Sequence, residues 1–248
     1  MDSGFYAACT ALVARNQALD SVANNLANIS TPGYRGQHNV FRSLLVASSG
    51  SPLSPLNHAV NNYSVLGDTQ LDLSQGNLEH TGSDFDFAIQ GPGFFTVRTA
   101  SGDVFTRNGN FHVSPQNFLA TAAGDKVMGE NGPIEIVGAP VSVSPDGTIS
   151  VNGVLAGKLK MVDFSPDTHL ESLGQTYYAA PANTAKPATQ ASIQQGNLES
   201  SNVNAVSSAV QLVTVQRYAE LMQRALYLFH SEMNQTATQD LPRVTNNG

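Results

Sequence analysis

The chain has 248 residues, with 19 acidic and 12 basic side chains, a formal net charge of −7, and 12% charged against 41% hydrophobic residues. That length is ample to bury a core, as one large domain or two small ones. A single cysteine, Cys9, rules out a disulfide scaffold and makes no zinc site by itself. The acidic balance and the lack of any basic block exclude a phosphate-neutralising surface for nucleic acid, and the apolar runs fall far short of the ~20 residues that span a bilayer.

The first segment carries Asp2, no basic run and polar residues inside what would be an apolar leader, so no cleaved secretory signal is expected. It places Phe5, Ala8, Leu12, Leu19, Val22 and Leu26 at the spacings of one helical stripe, and residues 3–28 read as one long amphipathic helix. Asn28-Ile29-Ser30-Thr31-Pro32-Gly33 ends it: Pro32 presets one turn dihedral, Gly33 supplies the positive φ of a type II turn, and Thr31 is pushed extended. Residues 36–68, rich in Ser, Pro and Asn between 47 and 62, read as an irregular or loosely β connection.

From about 69 to 180 the period changes to two, as in Phe85, Phe87 and Ile89, Phe95 and Val97, or Val141 and Val143, which predicts half-buried strands. Turn signals punctuate them, and Pro145-Asp146-Gly147 and Asn152-Gly153 predict tight hairpins in an antiparallel arrangement. Helical spacing returns after the Pro- and Ala-rich passage 180–187. Leu212, Val215, Ala219, Met222, Leu226, Phe229 and Met233 alternate threes and fours, while Val203, Val206, Val210 and Val213, then Leu221, Ala225 and Leu228, lie on a second face. The polar stretch 234–248, with Pro242 inside it, reads as frayed.

Gln75-Gly76-Asn77-Leu78-Glu79 recurs as Gln195-Gly196-Asn197-Leu198-Glu199, too far apart for a solenoid repeat. The two copies read as equivalent passages, one entering and one leaving a central β module, which brings the terminal helices together. Chemistry is sparse. No G-x-S-x-G elbow is present, the histidines show no metal-ligand spacing, Asp84 and Asp86 read as a solvated strand face, and Gly91-Pro92-Gly93 leads into a strand rather than a helix. No catalytic residue, cofactor or metal is expected. Tyr177-Tyr178 offers a weak aromatic platform for a glycan, which keeps open a secreted β-rich adhesin or carbohydrate-binding module with a helical oligomerisation stalk.

A helix that is apolar on two sides needs more than one partner. The expected assembly interface is therefore Phe5, Leu12, Leu19, Val22 and Leu26 with Val203, Val206, Val210, Leu212, Val213, Val215, Met222, Leu226, Phe229 and Met233. Ordinary burial of the main stripe of the second helix yields roughly 10 to 20 kcal/mol gross, against on the order of 30 to 60 kcal/mol of backbone entropy for about 30 residues. Intermolecular burial is the natural remainder.

Ala23-Asn24-Asn25-Leu26-Ala27-Asn28 followed by Thr31-Pro32-Gly33-Tyr34-Arg35 closely resembles the N-terminal signature of the bacterial flagellar axial proteins, the rod and hook proteins. Gly196-Asn197-Leu198-Glu199-Ser200-Ser201-Asn202-Val203-Asn204, then Gln216-Arg217, is similar to their C-terminal signature. The segments 86–95 and 105–111 are similar to motifs of their β module. Length, the opening Met1-Asp2 and Gly129-Glu130-Asn131-Gly132-Pro133-Ile134 resemble proximal-rod members, with distal-rod members as the alternative. One departure is Gln216-Arg217-Tyr218-Ala219-Glu220, where distal-rod and hook relatives usually carry Gln-Arg-Ala-Tyr-Glu; it turns the aromatic by about 100° around the helix.

The resemblance implies an α+β fold, with long N- and C-terminal helices paired as a coiled-coil layer and a central antiparallel all-β module. The implied division is 1–35 with 196–248 as a discontinuous helical assembly domain, 36–68 as the connection and 69–195 as the β domain. It implies a structural subunit that polymerises with copies of itself and sibling rod proteins into a hollow, torque-transmitting shaft. That subunit is exported by the flagellar type III apparatus and stands in the periplasm. On this reading Asn24, Asn25 and Asn28 are helix-end and packing groups.

Overall fold

The computed structural model describes residues 2–45, 62–166 and 168–239. Helix α1 spans Asp2–Ala27 and helix α2 spans Ala205–Gln239. Between them the described chain is almost entirely short strands, so the α+β class with a central β module holds. By internal contacts the described residues form two compact units, one within 1–24, 38–69 and 206–248, the other within 25–37 and 70–205.

The first unit holds most of both helices and most of a two-stranded sheet of Gln37–Leu45 with Asn62–Leu71. The ends of the expected irregular or loosely β connection are paired strands, and its middle, 46–61, lies outside the described residues. Among the described residues Ala14, Ala18, Ser21, Ser208 and Ala219 are the buried positions of the helices in this unit, all small side chains. The Arg15 guanidinium lies 5.3 Å from the Tyr218 ring centroid, a cation–π contact that links α1 to α2.

Helix α2 differs from expectation at both ends. Val203 precedes it, held by an N–H bond to Ser201 Oγ at 3.2 Å, and Asn204, a favoured N-cap residue type, stands just before the first helical residue. At the other end α2 continues past Met233 to Gln239, because no proline or glycine interrupts the chain before Pro242. Residues 240–248 of the expected frayed tail lie outside the described residues.

The second unit contains a ten-stranded sheet, whose main path runs Glu171–Ser172, Tyr177–Ala179, Gly102–Thr106, Phe94–Thr99, Lys126–Gly129, Leu119–Thr121, Phe111–Val113, and a separate three-stranded sheet, Val141–Val143, Thr148–Val151, Val154–Lys158. Neighbouring strands in both pair antiparallel. Both expected hairpins are present in the smaller sheet. In the second, Asn152 at φ 51° and Gly153 at φ 76° form the two-residue turn with positive φ at both positions that matches strand twist.

Phe94–Val97 and Phe87–Ile89 are buried at every position, where alternation had predicted half-buried strands. Two separate cores explain this. Phe95 packs in a cluster with Phe87, Ile89, Phe111, Leu119, Val127 and Ile149, while its neighbour Phe94, on the opposite face, packs with Val162, Phe164, Leu170 and Tyr178. Ring pairs tie each core together, at 5.3 Å between Phe95 and Phe111 and 5.8 Å between Phe94 and Tyr178.

Gly109 shows how closely the backbones approach: a Cβ there would lie 1.6 Å from the Phe87 carbonyl oxygen. Gly109→Ala is expected to destabilise the β module by at least about 2 kcal/mol, read as a lower midpoint in urea unfolding followed by the tyrosine signal.

Candidate functional site

All parts of the site lie within the second unit. Thr31-Pro32-Gly33-Tyr34 closes a turn through a Tyr34 N–H bond to the Thr31 carbonyl at 3.3 Å, with Gly33 at φ 71°, as a type II turn with proline second and glycine third requires. Any Cβ at Gly33 would meet the Asn108 backbone nitrogen at 2.2 Å, so the turn is packed flat on the chain at 107–108. The Gly33 N–H donates to the Glu199 carbonyl at 2.7 Å.

Asn25, buried near the end of α1, makes a two-way bond with Gln37. Its Nδ2 donates to the Gln37 carbonyl at 2.8 Å, and its Oδ1 accepts the Gln37 N–H at 2.8 Å and the Tyr34 hydroxyl at 3.1 Å. Asn28, also buried, accepts from the Thr31 hydroxyl at 3.2 Å. The asparagine side chains thus copy backbone hydrogen bonding and fasten the chain after the turn to the helix end it has just left.

The two copies of the repeat lie side by side. Leu78–His80 pairs antiparallel with Asn197–Glu199, with Leu78 opposite Glu199 and Glu79 opposite Leu198, so equivalent positions exchange partners about a local two-fold. Both glutamines bridge separate segments: Gln75 donates to the Ile89 carbonyl and accepts the Gly91 N–H, and Gln195 donates to the Asp84 and Val141 carbonyls and accepts the Val143 N–H. The symmetry ends at the glutamates. Glu79 is exposed, whereas Glu199 is wholly buried.

Glu199 gathers three segments. Its Oε1 accepts the Gly76 N–H at 2.8 Å and lies 2.7 Å from Arg35 Nη1; its Oε2 accepts from Arg107 Nη1 at 3.1 Å. Arg107 also donates to the Ile89 carbonyl at 3.2 Å and the Gly91 carbonyl at 2.7 Å, and its guanidinium lies 5.3 Å from the Phe94 ring centroid. The Arg35 N–H donates to the Tyr178 hydroxyl at 3.0 Å. Side-chain exposure is 0% for Arg35 and Glu199 and 3% for Arg107. Burial pulls the Arg107 pKa down to about 10 against the opposing pull of Glu199, and Arg35 adds to the lowering. Burial pushes the Tyr178 phenol up to about 12.

Of the motif positions named from sequence, Asn25, Asn28, Gly33, Tyr34, Gly196 and Glu199 are buried; Leu26, Thr31, Pro32, Leu198, Ser201, Asn202 and Val203 are half-buried; Asn24 and Ala27 are exposed. Asn202 works on both sides, accepting the Gly36 N–H at 2.7 Å and donating to the Asp72 carbonyl at 2.8 Å. Among the interface positions, Leu12, Leu19, Val22, Leu212, Val215, Met222 and Leu226 are half-buried, and Val206, Val210 and Val213 are exposed. The side chains of Phe5, Phe229 and Met233 lie outside the described residues.

Two sequence expectations are corrected. Tyr178 is fully buried and cannot serve as a glycan platform, and the Tyr177 hydroxyl is engaged by Thr121 at 2.7 Å and Asp125 at 2.9 Å. Asp86 does not share a solvated face with Asp84. It is buried, and it accepts from the Thr81 hydroxyl at 2.7 Å and from Asn110 at 2.8 Å, so its charge is covered by donors rather than water. Sequence reasoning missed Arg35, Arg107 and Tyr178 as a set. The available signal was that the single arginines of two motifs and the glutamate of a third have no other reason to sit in otherwise uncharged runs.

The chain matches three family models: the Flagella basal body rod protein over residues 5–35, the Flagellar hook protein FlgE/F/G D1 domain over 88–151, and the Flagellar basal body rod FlgEFG protein C-terminal region over 194–226. Together they define the class of flagellar axial proteins. The flagellar basal-body rod protein FlgF of Mesorhizobium japonicum is 32% identical over 226 residues, covering 89% of this chain and 90% of the relative. FlgF of Caulobacter vibrioides is 31% identical over 250 residues, covering 98% and 100%. FlgG of Buchnera aphidicola is 30% identical over 240 residues, covering 88% and 92%. The chain belongs to the flagellar basal-body rod protein family, as a FlgF-like structural subunit of the rod.

Removing the shared carboxylate leaves two buried guanidiniums unpaired, so Glu199→Ala should cost about 3 to 5 kcal/mol, measured by denaturant unfolding. The phenol predicts a pH window. The unfolded chain ionises Tyr178 near its ordinary value of 10, so the stability of the neutral, buried form is intact below pH 10 and is lost as pH rises from 10 to about 12. An alkaline absorbance titration should show one late-titrating phenol missing in Tyr178→Phe.

Proposed function

We propose that the chain polymerises through its terminal helices, α1 and α2 of each subunit pairing as a coiled-coil layer around the bore of the shaft, with the β module carried outside. The observation that supports this most is the second stripe of α2. Val206, Val210, Val213, Leu221 and Leu228 are 74%, 61%, 48%, 56% and 60% exposed, while Leu212, Val215, Ala219, Met222 and Leu226 face inward. Burying five such side chains between subunits contributes on the order of 10 kcal/mol gross, and no charged side chain stands at those positions to be desolvated.

Contacts of this kind, repeated head to tail with a rotation that does not close, generate an open helical assembly. The partners are copies of this chain and sibling rod proteins, and the site of action is the flagellar basal body, with the shaft in the periplasm. The subunit reaches it through the flagellar type III export apparatus. Its role is mechanical and no reaction is assigned to it.

Val210→Asp and Leu221→Asp are exposed-site changes, expected to alter subunit stability by no more than about 0.5 kcal/mol while abolishing incorporation into the rod and motility. Normal swimming with either variant at wild-type subunit levels overturns the proposal.

A further inference from the structure

The charges in the Glu199 cluster do not balance. Two guanidiniums face one carboxylate whose oxygens already serve Gly76, Arg35 and Arg107. Arg35 Nη1, although 2.7 Å from Glu199 Oε1, is out of hydrogen-bonding alignment; Arg35 Nε and Nη2 and Arg107 Nε have no acceptor among the described residues. Nearly all buried donors in folded proteins are paired, with protein, water or an ion.

The ionisable neighbours that act on Arg107 supply the deficit only in part. The Tyr178 hydroxyl accepts the Arg35 backbone N–H and stays a neutral phenol at physiological pH. Asp163 is the weakest of the electrostatic influences on Arg107, and its Oδ1 accepts the Phe164 N–H. Arg35 and Glu199 have no exposed side-chain surface, so no macromolecule or bulky ligand reaches them. The unpaired nitrogens and the surplus charge call for a small monovalent anion enclosed as the chain folds.

We propose that a halide ion, chloride under ordinary conditions, binds beside Arg35, accepting from its free guanidinium N–H groups and neutralising the surplus positive charge shared with Arg107. The ion is then a structural ligand at the point where the segment after α1 and the segment before α2 are held by one carboxylate. This inference stands independently of how subunits assemble.

The test uses the full chain. Thermal unfolding is followed at constant ionic strength while chloride is exchanged for gluconate, which is too large to be enclosed; crystals grown in bromide are examined at the bromine absorption edge. A ligand bound only by the folded state should raise the midpoint by roughly 3 °C or more for each tenfold increase in chloride, with an anomalous peak beside Arg35. Arg35→Gln, which leaves Arg107 and Glu199 as a balanced pair, should lose both the chloride dependence and the peak. If that variant does not fold, the wild-type bromide crystal decides alone. A midpoint indifferent to chloride, a bromide peak elsewhere, or a water without anomalous signal beside Arg35 overturns the proposal.

Discussion

One carboxylate organises the second unit. Glu199 sits with no contact to solvent and receives a backbone N–H from the first copy of the repeat, a guanidinium from the chain just after the Thr31–Tyr34 turn, and a guanidinium from the β module. A buried ion pair is a poor source of net stability, because desolvation consumes most of the Coulombic gain. Its value lies in what it forbids. Each of the two arginine-bearing segments has one position in which its guanidinium faces the carboxylate, and any slip leaves a cation in a low-dielectric interior.

The rest of the arrangement follows from that constraint. The repeat pairs with itself about a local two-fold, but only one of its glutamates turns inward, so an otherwise symmetrical pairing acquires a direction. The Gly33 N–H bond to the Glu199 carbonyl and the Asn202 bonds to Gly36 and Asp72 set the chain leaving α1 beside the chain entering α2. Asn25 fastens the end of α1 to Gln37. Directional hydrogen bonds and charge pairs hold the two passages in one register, where a purely apolar contact can slide.

The helices show the opposite economy. They have little charge, small buried side chains, and a row of valines and leucines left facing water. A soluble monomer has no use for such a row. In the proposed assembly it is the surface by which one subunit finishes another.

Periodicity and turn chemistry determined much of this in advance, since both act over a few residues. The long helices, the type II turn at Pro32-Gly33, the Asn152-Gly153 hairpin and the equivalence of the two repeat copies were all legible as local patterns. The helix ends were less so, because the Ser201 bond to the Val203 N–H holds that residue ahead of the helix and no breaker occurs before Pro242, and these outweigh hydrophobic spacing there. What only the tertiary structure decided is which residues meet across long separations. That Phe94 and Phe95 feed separate cores, that Tyr178 is sealed rather than displayed, and that Arg35, Arg107 and Glu199 share one buried site depend on strands paired from distant parts of the chain. Burial and charge pairing are properties of that enclosure, and no local pattern encodes them.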